Sequence, residues 1–166
     1  MAKLKSVPKR RRREGKTNYP KRFNLLKSRT HRFVVRPSLQ NINVQITLYS
    51  PQGDKVVVAT SSQALHHYGW TVHKGNTPAA YLTGYLIGKK AQKKNISSAI
   101  LDSGLRTPTK GGRIYACVKG IVDAGVTVPV AEEVLPTMER IEGKHIGKEA
   151  AQLFHATKKK IDEAKL

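Results

Sequence analysis

The chain has 166 residues, within the roughly 100–200 expected of one domain, and it is 39% hydrophobic but only 6% aromatic, so a core must rest on Val, Ile, Leu and Ala. Thirty-one Lys and Arg against 11 Asp and Glu give a net charge of +20, a self-repelling excess whose natural complement is a polyanion, nucleic acid first among them. A single cysteine, Cys117, excludes an intrachain disulfide framework or a cysteine-based metal site, no apolar run approaches the roughly 20 residues of a membrane span, and the basic N-terminus lacks the apolar stretch of a secretory signal.

The charge is concentrated at one end. Fourteen of the 31 basic residues lie in positions 1–36, with Glu14 the only acid among them. Residues 1–20 lack apolar periodicity and read as an extended arm that orders on its partner, with a short helical turn around Phe23, Leu25 and Leu26 completing a basic segment over 1–30. His31–Arg36 then reads as a strand through Phe33, Val34 and Val35. Ile42–Tyr49 alternates cleanly, with Ile42, Val44, Ile46 and Leu48 on one face, and Pro51-Gln52-Gly53-Asp54 is a turn before a third strand, Lys55–Thr60. Residues 61–75 are a loop or a short helical piece.

A helix is expected from Thr77 as N-cap and Pro78 at its first position to about Lys94, with Asn95 as its stop. Ala80, Gly84 and Gly88 recur four apart along it, a stripe of small side chains that suits close approach to a sheet. Ser97–Asp102 is a fourth strand, Gly104–Gly112 a basic, Gly-rich loop, and Arg113–Ala124 a second helix with Gly125 at its C′ position. That helix repeats the small-residue device with Ala116, Gly120 and Ala124. Val126–Val130 is extended and ends the compact part, and 131–166 forms one or two amphipathic helices around Ile146, Ala150, Leu153 and Phe154. The order is βββαβα, an α/β (α+β) fold: one mixed sheet with both main helices on its apolar side and a right-handed crossover. The expected division is a basic arm over 1–30, a globular domain over 31–130 and a helical extension over 131–166.

Catalytic chemistry is poorly supplied. The same element order occurs in ribonuclease-H-type nucleases, which need several carboxylates to hold two divalent metals. Here the first strand and the first long helix carry no acid, and Asp102 stands alone at the end of the fourth strand. His66, His67 and His73 match no metal-ligand spacing, and Cys117 sits among small residues as a packing group. Ser103 lies in no Gly-x-Ser-x-Gly turn. Gly111-Gly112 before a helix lacks the Lys-Ser/Thr of a nucleotide-binding loop. No cofactor, metal or small-molecule substrate is expected.

Nucleic-acid chemistry is abundant. Arg10, Arg11, Arg12 and Arg13 lead a cationic run with Lys16, Lys21, Arg22 and Arg29, and Tyr19 offers a stacking face within it. Guanidinium groups bind phosphate bidentately and stack on bases. Arg32, Arg36, Ser38 and Asn41 place cationic and polar groups at the edge of the strand meander. The loop from Arg106 through Lys110 to Arg113 offers hydroxyls and backbone amides to phosphate oxygens. Two other readings are a nuclease that kept a ribonuclease-H-like core and a general RNA chaperone.

Taken together, the basic arm through Arg22-Phe23, Arg36-Pro37-Ser38-Leu39-Gln40-Asn41-Ile42, Asn76-Thr77-Pro78-Ala79-Ala80-Tyr81-Leu82-Thr83-Gly84, Leu101-Asp102-Ser103-Gly104-Leu105, Gly112-Arg113, Lys119-Gly120, Asp123-Ala124-Gly125, Val128-Pro129 and His145-Ile146-Gly147 resemble the archaeal/eukaryotic branch of the large-subunit ribosomal protein L-eighteen family. The resemblance runs over nearly the whole chain. It implies a cytoplasmic, ribosomal protein that is not an enzyme. It also implies that the protein binds 5S rRNA in the central protuberance and helps join it to the large rRNA, beside other 5S-associated proteins. The fold it implies, a sheet with helices on one side, is the one read independently from the residues.

Overall fold

The computed structural model describes residues 7–164; Lys3 and Lys5 of the expected arm lie outside the described residues. Within them the N-terminal segment is helical rather than extended. A single turn, α1 (Arg10–Arg13), is followed by α2 (Tyr19–Leu26). Glu14 makes the first turn tolerable by lying 2.9 Å from Lys16 and 3.7 Å from Arg10. The second starts where the Asn18 side chain accepts the Lys21 N–H, with a proline in the first turn.

Four strands follow the expected pattern: β1 (His31–Pro37), β2 (Ile42–Leu48), β3 (Lys55–Ser61) and β4 (Ala99–Asp102), in the order β3-β2-β1-β4. β1 is antiparallel to β2 and parallel to β4, setting Arg32 opposite Thr47 and Ile100, and Val34 opposite Asp102. Alternation puts Phe33, Val35, Ile42, Val44 and Ile46 on the buried face. Arg32, Arg36 and Asp102 therefore share the opposite one. A 3-10 helix, Ser62–Tyr68, leads to α3 (Thr77–Gln92) and, after β4, α4 (Arg113–Asp123). The cap of α3 is Asn76, not Thr77: the Asn76 side chain accepts the Ala79 N–H, and Thr77 is already helical. The chain leaves α3 through Asn95 at φ +56° and α4 through Gly125 at φ +97°.

The small-residue stripes serve a different contact from the one expected. They do not bring a helix down on the sheet; they bring α3 and α4 against each other. A Cβ on Gly84 would lie 2.1 Å from the Cys117 carbonyl oxygen, and one on Gly120 would lie 2.2 Å from that of Tyr81. Backbone thus touches backbone, and the paired helices cover the sheet as one layer, α3 over β2 and β3 and α4 against β1.

Nor does Val130 end the compact part. Thr127 bridges Ser98 in parallel and extends the β4 edge. Beyond it a 3-10 turn, Glu132–Val134, leads to α5 (Met138–Glu142) and α6 (Lys148–Glu163), which bury Ile141, Ala150, Phe154 and Ile161. The Phe154 ring lies 5.4 Å from that of Tyr81. Tyr85 donates its hydroxyl to Asp162 at 2.6 Å, which also pairs with Lys89 at 2.9 Å. The Lys158 ammonium sits over the stacked rings of Tyr81 and Tyr85. Apolar burial and these polar clasps together make the tail part of the core.

Candidate nucleic-acid interface

α2 is held on the body by two neighbouring cations. Lys21 donates to Ser103 Oγ at 3.1 Å and to the Gly104 carbonyl at 3.0 Å, just beyond β4. Arg22 donates to both carboxylate oxygens of Asp54, at 2.8 and 2.9 Å, in the turn between β2 and β3. Adjacent residues of one helix thus reach the end of β4 and the β2–β3 turn, and Arg32 bonds the carboxylates at both places.

Arg32 is the residue whose expected role the structure overturns. Its side chain is 2% exposed, with one nitrogen donating to Asp102 Oδ2 at 2.8 Å and another to Asp54. A guanidinium already claimed by two carboxylates has no surface to offer a phosphate, so Arg32 leaves the set of RNA contacts and becomes the centre of an ion network. Arg36, two positions along the same face, stays accessible at 44%. It donates to the Asp102 carbonyl at 2.6 Å, to Asp102 Oδ1 at 3.1 Å and to the Val35 carbonyl at 3.0 Å. Asp102, which stood out as the lone carboxylate at the end of a strand, is the hub that holds both arginines.

Between the N-terminal segment and the loop after β4 lies a cleft of about 470 Å³ whose lining includes Arg11, Lys16, Lys21, Arg36 and Arg106. An adjoining hollow of about 340 Å³ is lined by Arg106, Thr107, Thr109 and Arg113. The structure thus brings the arm and the basic loop to one surface, although some 80 residues separate Lys21 from Ser103 and Gly104 in sequence. Arg10, Arg12 and Arg13 are exposed beside it, and Tyr19 carries the Lys9 ammonium over its ring at 5.1 Å.

Other expected contacts have structural duties as well. Arg113 donates to the carbonyls of Ser38 and Gly75, both at 2.9 Å, tying the β1–β2 turn to the entry of α3. Ser38 closes that turn by donating its hydroxyl to the Asn41 carbonyl and accepting the Asn41 N–H. Arg29 and Lys110 are exposed but line neither hollow. Cys117 is wholly buried; burial pushes its thiol well up, and it donates to the Ala80 carbonyl at 3.0 Å. His73 accepts the Gly75 N–H, and among the described residues no three His, Cys, Asp or Glu side chains group to hold a metal ion.

The family described as "Ribosomal large subunit proteins 60S L5, and 50S L18" matches residues 3–98. A relative, the large ribosomal subunit protein uL18 of Staphylothermus marinus, is 49% identical over 152 residues, covering 91% of this chain and 75% of its own length. The chain belongs to this family of large-subunit ribosomal proteins. Its place is the cytoplasmic ribosome, its role there structural, and rRNA and other ribosomal proteins are its partners. A basic surface suits that membership: Asp54 and Asp102 face the arginines that they fix, Glu14 pairs with Arg10 and Lys16, and Arg11, Arg12 and Arg13 stay exposed.

Asp54 was legible in sequence only as a turn residue. The signal that would have found it is scarcity, since an acid in so basic a chain has many cations competing for it. Burial alone would raise its pKa, but the hydrogen bonds from Arg22 and Arg32 outweigh that and hold it below the usual carboxylate range. Because the folded value lies below the unfolded one of about 3.9, its contribution to stability is present in full above that pH and is lost as pH falls through the folded value. Thermal melts of the wild type are expected to lose stability on acidification below about pH 4. Asp54→Asn should flatten that part of the profile; an unchanged pH profile in the variant would remove Asp54 from the network.

Proposed function

We propose that the chain binds 5S rRNA and helps attach it to the large rRNA in the central protuberance, beside other 5S-associated proteins. The observation that carries this reading is the single cationic surface on which the N-terminal segment and the loop after β4 meet, with Asp54 and Asp102 withdrawn into the ion network. RNA helices are met mostly through shape, phosphate and 2′-OH contacts, and a rigid basic cleft flanked by the exposed arginines of α1 is suited to that. In this reading residues 1–30 are the RNA-contacting arm, 31–130 the body that positions it, and 131–166 a helical extension packed on α3. Arg10–Arg13, Lys16, Tyr19, Lys21, Arg22, Arg29, Arg36, Ser38, Asn41, Arg106, Lys110 and Arg113 are the proposed contacts.

If about 8 phosphates are neutralised, log K for 5S rRNA falls with log salt at a slope of about −6 to −7. Replacing Arg10–Arg13 with alanine is expected to weaken binding at every salt concentration and to reduce the slope by roughly 3. Gel-shift titrations over a salt series measure both. An affinity insensitive to salt, or unrelated RNAs competing as well as 5S rRNA, would refute the reading.

A further inference from the structure

β3 is one edge of the sheet, and a bulge interrupts it there. Ile46 faces Val58 and Thr47 faces Val56, so Val57 is the extra residue, and its carbonyl accepts the Lys94 ammonium at 2.6 Å. Apart from that bond, the outward backbone groups of β3 have no partner among the described residues. Where this edge meets the end of α3 there is a hollow of about 300 Å³. It is lined by Val57, Val58 and Ala59 of the strand and by Lys90, Lys93 and Lys94. Among the described residues none of these three lysines pairs with a carboxylate; Asp162 is taken by Lys89.

An open strand edge is a template for another extended chain. Lysines commonly guard such an edge, and against a second copy of this chain they would, because the copy would bring Lys55, Lys93 and Lys94 of its own. An acidic strand meets the opposite field. RNA fits less well: the hollow holds no arginine and no aromatic ring, and half of its lining is aliphatic strand edge. The edge also lies three strand spacings from β4, about 14 Å, away from the cleft beside the β4 loop. We propose that the β3 edge takes an extended acidic segment of a neighbouring ribosomal protein as an added strand. Successive side chains of that strand point to opposite faces. Those on the helix-covered face meet the lysines and are acidic. Those on the open face lie beside the exposed Val56 and Ala59 and are apolar. Such a partner is independent of the RNA reading above.

The probe is a fluorescein-labelled peptide of about ten residues in which glutamate alternates with valine, titrated with the full chain and read by anisotropy. It should bind roughly tenfold more tightly than a peptide of the same composition with its glutamates and valines in separate blocks, or than a lysine–valine counterpart. Methylating the backbone nitrogens of every glutamate, or of every valine, removes the donors along one edge of the peptide or the other. One methylated peptide should lose binding and the other keep it. Lys90→Glu/Lys93→Glu should reverse the choice, so that the lysine–valine peptide binds better than the glutamate–valine one. Equal binding of the alternating and blocked acidic peptides overturns the inference, as does an unreversed preference in the variant. The same holds if both methylated peptides bind or both fail. No peptide binding by the wild type also overturns it; a loss of 5S rRNA affinity in the variant would then make this edge an RNA surface instead.

Discussion

Asp102→Ala is expected to cost about 3–5 kcal/mol of folding stability, the loss typical of a buried ion pair from which one partner is removed. The reason is the company Asp102 keeps. Arg32 is 2% exposed and retains only Asp54 when Asp102 is gone, and its Nε has no hydrogen-bond partner among the described residues. Arg36 loses a carboxylate oxygen at the same time, although the Asp102 backbone carbonyl still receives it. Urea unfolding should show a lower midpoint with an unchanged slope. Asp102→Asn should cost less, because an amide oxygen can still accept a hydrogen bond. The double variant Arg32→Leu/Asp102→Ala should recover much of the loss, since the damage comes from an uncompensated buried cation rather than from the absence of the pair. A wild-type-like midpoint for Asp102→Ala would mean that Arg32 reaches water, contrary to its burial.

Gly84→Ala and Gly120→Ala should each destabilise by about 3 kcal/mol, the upper end of the usual range for overpacking. Two effects oppose each other at these positions. Alanine is favoured over glycine inside a helix by about 1 kcal/mol. Against that, the new methyl would stand 2.1 Å from the Cys117 carbonyl oxygen in one case and 2.2 Å from that of Tyr81 in the other. These are backbone atoms of the partner helix and cannot rotate away as a side-chain tip would. Relief requires α3 and α4 to separate, and Cys117, Ile121, Leu82 and Leu86, all buried in this core, would lose contacts with them. Chemical denaturation of the two single variants measures the balance; a gain in stability at either site would show that the helices do not meet as closely as described.

The proposed RNA surface depends on both features. The helix pair supports the sheet from one side, and the ion network fastens α2 to the other. A variant that disrupts the helix pair should weaken RNA binding only through the folded population. Replacing an exposed arginine of α1 should instead alter binding without a change in the unfolding midpoint. Measuring stability and affinity on the same variants therefore separates scaffold from contact.

Much of the architecture followed from local rules. Alternation at Ile42, Val44 and Ile46, the turn at Pro51–Asp54, and the Gly125 stop each express a constraint carried by a few neighbouring residues, and the four strands and two main helices lie where those rules placed them. The cationic character of the interface was likewise a matter of counting, and the residue pattern carried the family resemblance. What composition and spacing could not assign was which cations face outward. Arg32 and Arg36 are both arginines on one strand, on the same face and two residues apart. One is buried and the other open because Asp54, 22 residues on, claims the first and not the second, whereas Asp102, 70 residues from Arg32, bonds both. The partner of the small-residue stripes was undetermined for the same reason, since Gly84 permits close approach without saying to what. Local propensity and charge count are properties of the chain itself; burial and pairing belong to residues brought together from distant positions, and only the tertiary structure decides them.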